Sequence, residues 1–147
     1  MTHKDAGKYS TKHLSGKTLN EKVARMIREK SPGGELPCVM GEKISKELKV
    51  EISEVGITAD LLEIKIKKCQ LGLFGYGKKP NHGKDIQAAD SVSGEMKRAI
   101  EETAENGKVT CAALWMIADR LGTKRKEVSA ACETLKIKIR KCQLGTF

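Results

Sequence analysis

The sequence predicts a mainly α-helical chain with short β segments, built as two tandem copies of one small unit. Three observations carry this. A stretch of 55 residues recurs without a gap at an offset of 73. Apolar residues within each copy fall at helical spacing. Aromatic residues make up only 3% of the 147 residues. Any core must therefore be built from Ile, Leu, Val, Met and Ala, which favours small helical units over a large β-sandwich.

The repeat is plainest where Ile64-Lys-Ile-Lys-Lys-Cys-Gln-Leu-Gly-Leu-Phe74 returns as Ile137-Lys-Ile-Arg-Lys-Cys-Gln-Leu-Gly-Thr-Phe147. Sliding the chain by the same step aligns Asn20–Phe74 with Ser93–Phe147, with 19 identities. A gapless match of this length indicates tandem duplication. It divides the chain into a basic polar tail at 1–14, a first repeat at 15–75, a linker at 76–88 and a second repeat at 89–147. A single unit of this size is marginal as an independent fold, so the two gain by packing on each other.

Each repeat opens with an amphipathic helix. Leu19, Val23, Met26 and Ile27 share one face, and Val92, Met96, Ala99 and Ile100 repeat the arrangement. Ser31-Pro-Gly-Gly34 and Glu105-Asn-Gly107 supply the glycine expected after a helix end. A short extended piece follows, Glu35–Pro37 or Lys108–Thr110. A second helix is predicted over 39–48 and 111–121, with Thr110 as an N-cap. A third is predicted over 53–66 and 124–139. Val55, Ala59, Leu62 and Ile66 form its stripe, matched by Val128, Cys132, Leu135 and Ile139. Cys69, Leu71 and Leu73 then alternate with Gln70 and Gly72, a period of two that predicts a strand.

Helix, short strand, helix, tight turn, helix and strand, with Arg120-Leu-Gly-Thr123 at the turn, resemble the winged-helix type of helix-turn-helix domain. The resemblance covers both repeats, and the expectation is two tandem winged-helix-like units. It implies a DNA-binding transcriptional regulator whose third helix enters the major groove while the wing meets phosphates. The second repeat stops at Phe147, short of a second wing strand. That strand is expected from the linker in the first repeat. In the second, the other repeat or another chain would supply it.

The charges separate the copies. Residues 20–74 carry ten Lys/Arg against nine Asp/Glu, and residues 93–147 carry eleven against seven. The third helix of the second repeat begins Thr123-Lys124-Arg125-Lys126, where base edges and phosphates are met in such domains. The first repeat places Glu51 and Glu54 there, which repel phosphate. The nucleic-acid-binding residues implied are thus Thr123, Lys124, Arg125 and Lys126. Lys138, Arg140 and Lys141 near the end of the third helix join them, as do Tyr76, Lys78 and Lys79 at the wing tip. Lys65, Lys67 and Lys68 occupy the matching positions of the first repeat. Cations at a helix C-terminus also suit its dipole, and exposed lysines are ordinary surface, so each cluster has a structural reading beside the functional one.

Cys38/Cys111 and Cys69/Cys142 are repeat-equivalent, and a winged-helix arrangement would bring the members of each repeat together. No CxxC occurs and no histidine lies at a matching ligand position. The thiols therefore read as small apolar residues, with Cys132 in the core. Gln70 and Gln143 carry no recognisable chemistry, and the shared Lys-Cys-Gln-Leu-Gly run points to one structural role, such as strand pairing between repeats.

No nucleophile–base pair, phosphate loop or dinucleotide fingerprint is present, so the chain reads as a non-enzyme without a cofactor or metal. No apolar run approaches a membrane span and no secretory signal opens the chain, which makes the cytoplasm the expected compartment. Double-stranded DNA is the expected partner, with homodimerisation or inter-repeat packing in addition. The alternative is a protein–protein or scaffold module that uses the same fold without nucleic acid.

Overall fold

The computed structural model describes residues 20–77 and 83–147. Among these the chain is mainly helical, with short strands in two small sheets. The order is α1 (Glu21–Lys30), β1 (Glu35–Pro37), α2 (Cys38–Leu48), α3 (Ile52–Leu61), β2 (Lys65–Lys67), α4 (Gly94–Thr103), β3 (Lys108–Thr110), α5 (Cys111–Leu121), α6 (Arg125–Leu135) and β4 (Lys138–Arg140). Each element of the first repeat recurs in the second, and every one of the five pairs starts 73 residues apart. No helix among the described residues is long and apolar enough to cross a membrane.

The compact units do not end where the repeats end. Unit 1 holds described residues 20–69 together with Gln143–Phe147, and unit 2 holds described residues 70–77 and 83–142. The segment after the last strand of each repeat therefore belongs to the unit built by the other repeat.

In unit 1, Asn20 caps α1 by accepting from the Val23 amide at 3.2 Å. Val23, Ala24 and Ile27 of α1, Leu36 of β1, Ile44 of α2 and Val55 and Ala59 of α3 are buried with Leu144. A residue at the end of the second repeat thus completes a core made by the first. Two glycines admit it. A Cβ on Gly56 would lie 2.1 Å from the Leu144 carbonyl oxygen, and one on Gly41 would lie 3.0 Å from Leu144 Cδ1.

In unit 2, Ser93 caps α4 through the Met96 amide at 3.1 Å. Thr110 caps α5 through the Ala113 amide at 3.2 Å, the role its position predicts. Gly122 ends α5 at φ 69°. Ile100, Val109, Leu114, Ala118, Val128 and Cys132 are buried, and Leu71 is fully buried as well. Residues 83–90 run beside α6. The Ala89 amide donates to the Ala130 carbonyl at 3.2 Å, the Thr134 hydroxyl donates to the Ala89 carbonyl at 2.7 Å, and Lys84 pairs with Glu133.

The end of each repeat corrects the sequence reading. The third helices stop at Leu61 and Leu135, not near 66 and 139. Glu63 and Lys136 take left-handed φ values of 56° and 57° and turn the chain out of the helix. The strands are Lys65–Lys67 and Lys138–Arg140, earlier than the alternating Cys69–Leu73 run, which forms turns. Lys65, Lys67, Lys138 and Arg140 consequently sit on strands and not at a helix terminus. Ile66 fits both periods: it lies four residues after Leu62 and also alternates with Lys65 and Lys67. β1 pairs with β2 in parallel, Glu35 opposite Lys65 and Leu36 opposite Ile66. β3 pairs with β4 in the same way. These are parallel pairs across a helical crossover, and no hairpin wing follows them among the described residues.

Candidate nucleic-acid interface

The basic start of α6 forms where α5 is stopped by Gly122 and the chain resumes helix at Arg125. Lys124 occupies the N-cap in extended conformation, and no side chain caps the first turn. Lys124 is exposed, whereas Thr123, Arg125 and Lys126 are half-buried. Thr123 Oγ1 is buried and has no hydrogen-bond partner among the described residues. These four residues line one shallow cleft of about 400 Å³ with Gln70, Tyr76 and Asp119.

Arg125 and Lys126 are engaged within unit 2. The Arg125 guanidinium lies 3.9 Å from the centre of the Trp115 ring. It donates to Gln70 Oε1 at 2.9 Å and pairs with Asp119 at 3.3 Å. A planar fork stacked on an indole and bonded at its edge is a positioning arrangement that lysine cannot reproduce. The Lys126 ammonium sits 4.3 Å from the centre of the Tyr76 ring and pairs with Asp85. Its pKa is raised, first by the hydrogen bond to Asp85, with burial acting in the opposite direction and Tyr76 adding to the rise.

Gln70, Trp115, Asp119 and Asp85 are the contributors that residue patterns missed. Gln70 recurs in the repeat, but its partner Arg125 has no counterpart in the first repeat, where the matching residue is Ile52. Tyr76, read as a residue for nucleic acid, here supports a lysine. Lys78 and Lys79 lie outside the described residues.

The second basic cluster is separate from the cleft. Lys138 and Arg140 lie on β4 and Lys141 follows it, beyond the far end of α6. That helix has 11 residues, so its ends stand about 16 Å apart. Lys138 and Lys141 are exposed and Arg140 is half-buried, with its Nε buried and without a hydrogen-bond partner among the described residues. In unit 1, α3 starts after Glu51, and Glu54 lies in its first turn. Lys67 of β2 pairs with Glu35 of β1 at 3.4 Å.

None of the five cysteines forms a disulfide; Cys38, Cys69, Cys111 and Cys132 are buried and Cys142 is half-buried. Burial, and secondarily the charge of Glu133, pushes the Cys132 thiol up to about 12. No group of three potential metal ligands occurs among the described residues. Comparison of the chain with known families, curated proteins and solved structures finds no match.

Proposed function

We propose that the chain is a DNA-binding regulator made of two tandem winged-helix-like units, and that duplex DNA is engaged by unit 2. The observation that carries this reading is the α5–turn–α6 pair, with an exposed lysine at the uncapped start of its second helix. Backbone amides and a cation at that point suit a phosphate, and the following turns suit a groove. Lys124 leads the contact. Arg125 holds the helix start in place, and Lys126 is held by Tyr76 and Asp85. Unit 1 presents Glu51 at the place of Lys124, while Glu54 and Glu127 keep the same charge in both copies. The parallel strand pairs depart from the usual wing, so the groove contact falls to α6.

The test is anisotropy of a labelled random duplex over a salt series. Lys124→Ala is expected to lower affinity and to flatten the log–log salt slope by about one unit, the value for one phosphate contact. Lys49→Ala in unit 1 and the tail triple Lys4/Lys8/Lys12→Ala are the comparisons. Equal losses for Lys124 and the tail triple would leave only general charge attraction. No binding by the wild-type chain at low salt would favour the protein–protein reading, for which Met116, 72% exposed on α5, is the one large exposed apolar side chain among the described residues of unit 2.

A further inference from the structure

We propose that the outward face of the β3–β4 sheet is a second contact for the sugar–phosphate backbone of DNA, carried by Lys108 and Lys136 together with Lys138 and Lys141. This deepens the DNA-binding reading and rests on it. Lys108 and Lys136 belong to neither the helix-turn-helix nor its cleft.

The warrant is a comparison between two copies of one architecture. In unit 1, Glu35 faces Lys65 across the parallel pair and forms an ion pair with Lys67 of the same strand. In unit 2 the same register places Lys108 opposite Lys138. Both are exposed, and they share the face opposite buried Val109. Like charges on neighbouring strands repel, so this register opposes folding of the sheet. A second reversal lies at the turn before the strand, where Glu63 in unit 1 becomes Lys136 in unit 2. Both residues hold the same left-handed backbone, with φ 56° and 57°. The fold at this point is therefore indifferent to the sign of the side chain. Lys141 closes the strand, also exposed.

No acidic side chain among the described residues pairs with Lys108, Lys136, Lys138 or Lys141. Glu105 bridges Lys108 through main-chain bonds of 2.8 and 3.0 Å, yet forms no ion pair with it. Four cations around one two-stranded sheet, two of them replacing carboxylates and one of those set against a like charge, make a surface complementary to a polyanion. A row of phosphates is the occupant that suits exposed cations on β3, on β4 and at both ends of β4.

The experiment restores the charges of unit 1 in the full chain, with Lys108→Glu/Lys136→Glu. A milder variant, Lys108→Gln/Lys136→Gln, stands beside it. Binding is measured on two unrelated duplex sequences over a salt series, with thermal unfolding as a check of the fold. The expected result is a log–log slope smaller by about two units, since each phosphate contact contributes about 0.9. The loss should be equal for both sequences, because backbone contacts carry no sequence information. The thermal midpoint should not fall, since a repulsion is removed. An unchanged slope with wild-type binding intact would overturn this inference and leave the α6 reading standing. Loss of binding to phosphatidylserine vesicles with an unchanged duplex slope would assign the face to a membrane surface and also overturn it. A wild-type chain that binds no duplex would remove both proposals.

Discussion

Arg125 gives its guanidinium to three neighbours at once: the Trp115 ring, Gln70 and Asp119. Its value to the fold lies in planarity as much as in charge. Arg125→Lys keeps the charge and loses both the stack and the fork. It should lower stability by about 1–2 kcal/mol in urea unfolding, within the range for a desolvated cation–π contact with a hydrogen bond. A double-mutant cycle with Gln70→Ala should show coupling, which two independent surface residues would not. Gly56 is a second single-residue constraint. Gly56→Ala would place a methyl against the Leu144 carbonyl, a main-chain atom, and should destabilise by about 1–3 kcal/mol. Gly41→Ala meets only the tip of the Leu144 side chain, so its loss should be clearly smaller; equal losses would show that the glycines do not serve Leu144. Cys132 provides a pH signature. Its thiol rises from 9.0 to about 12 in the folded chain. Folding is indifferent to it below pH 9, where both states hold the proton. Above pH 9 the unfolded state releases the proton first, so stability falls by up to about 1.4 kcal/mol per pH unit until about pH 12. Chemical unfolding at pH 8 and pH 10 should show this drop, and Cys132→Ala should remove its share.

At the scale of elements, the Gln143–Phe147 segment is the structural complement of α2 and α3. Leu144 is 3% exposed, and Leu144→Ala should lower stability by about 2–4 kcal/mol. Hydrogen exchange locates the effect: protection should fall in α2 and α3, although the substitution lies in the second repeat by sequence. A loss confined to α5 and α6 would contradict the placement. The helices were legible from residues alone, and so was Thr110 as a cap. Asn20 and Ser93 were not, because the apolar stripe drawn from Leu19 and Val92 ran through them, whereas the helices begin at Glu21 and Gly94. The third helix was overrun because its terminators are Glu63 and Lys136. Neither residue type signals a left-handed turn, as glycine does at Gly122. The strand was then placed too late, since Ile66 satisfies the stripe of a helix and the alternation of a strand equally well. The basic start of α6 was readable as a cluster of charge. That Arg125 is committed to Trp115 and Gln70 was not, because a pair 55 residues apart leaves no trace in local spacing.

For the whole molecule, duplication supplied two copies that diverged in charge while keeping their register. Unit 2 collects lysines where unit 1 has Glu35, Glu51 and Glu63. A chain in which all three are changed to Lys should bind duplex DNA with a steeper salt dependence than the wild type, measured by the same anisotropy series. No steepening would mean that charge placement in this architecture does not set polyanion affinity. The segment that ends the second repeat has a further consequence, for the order in which the protein is made. Domains emerging from the ribosome ordinarily fold in the order of synthesis, N-terminal first. Here the residues that complete unit 1 are translated after all of unit 2. Residues 70–142 can therefore close their core while the earlier half still waits with an open space over Gly41 and Gly56. A ribosome that stops before Leu144 releases a chain whose later half is finished and whose first half is not. Quality control would meet the defect in unit 1, although the missing residues follow unit 2.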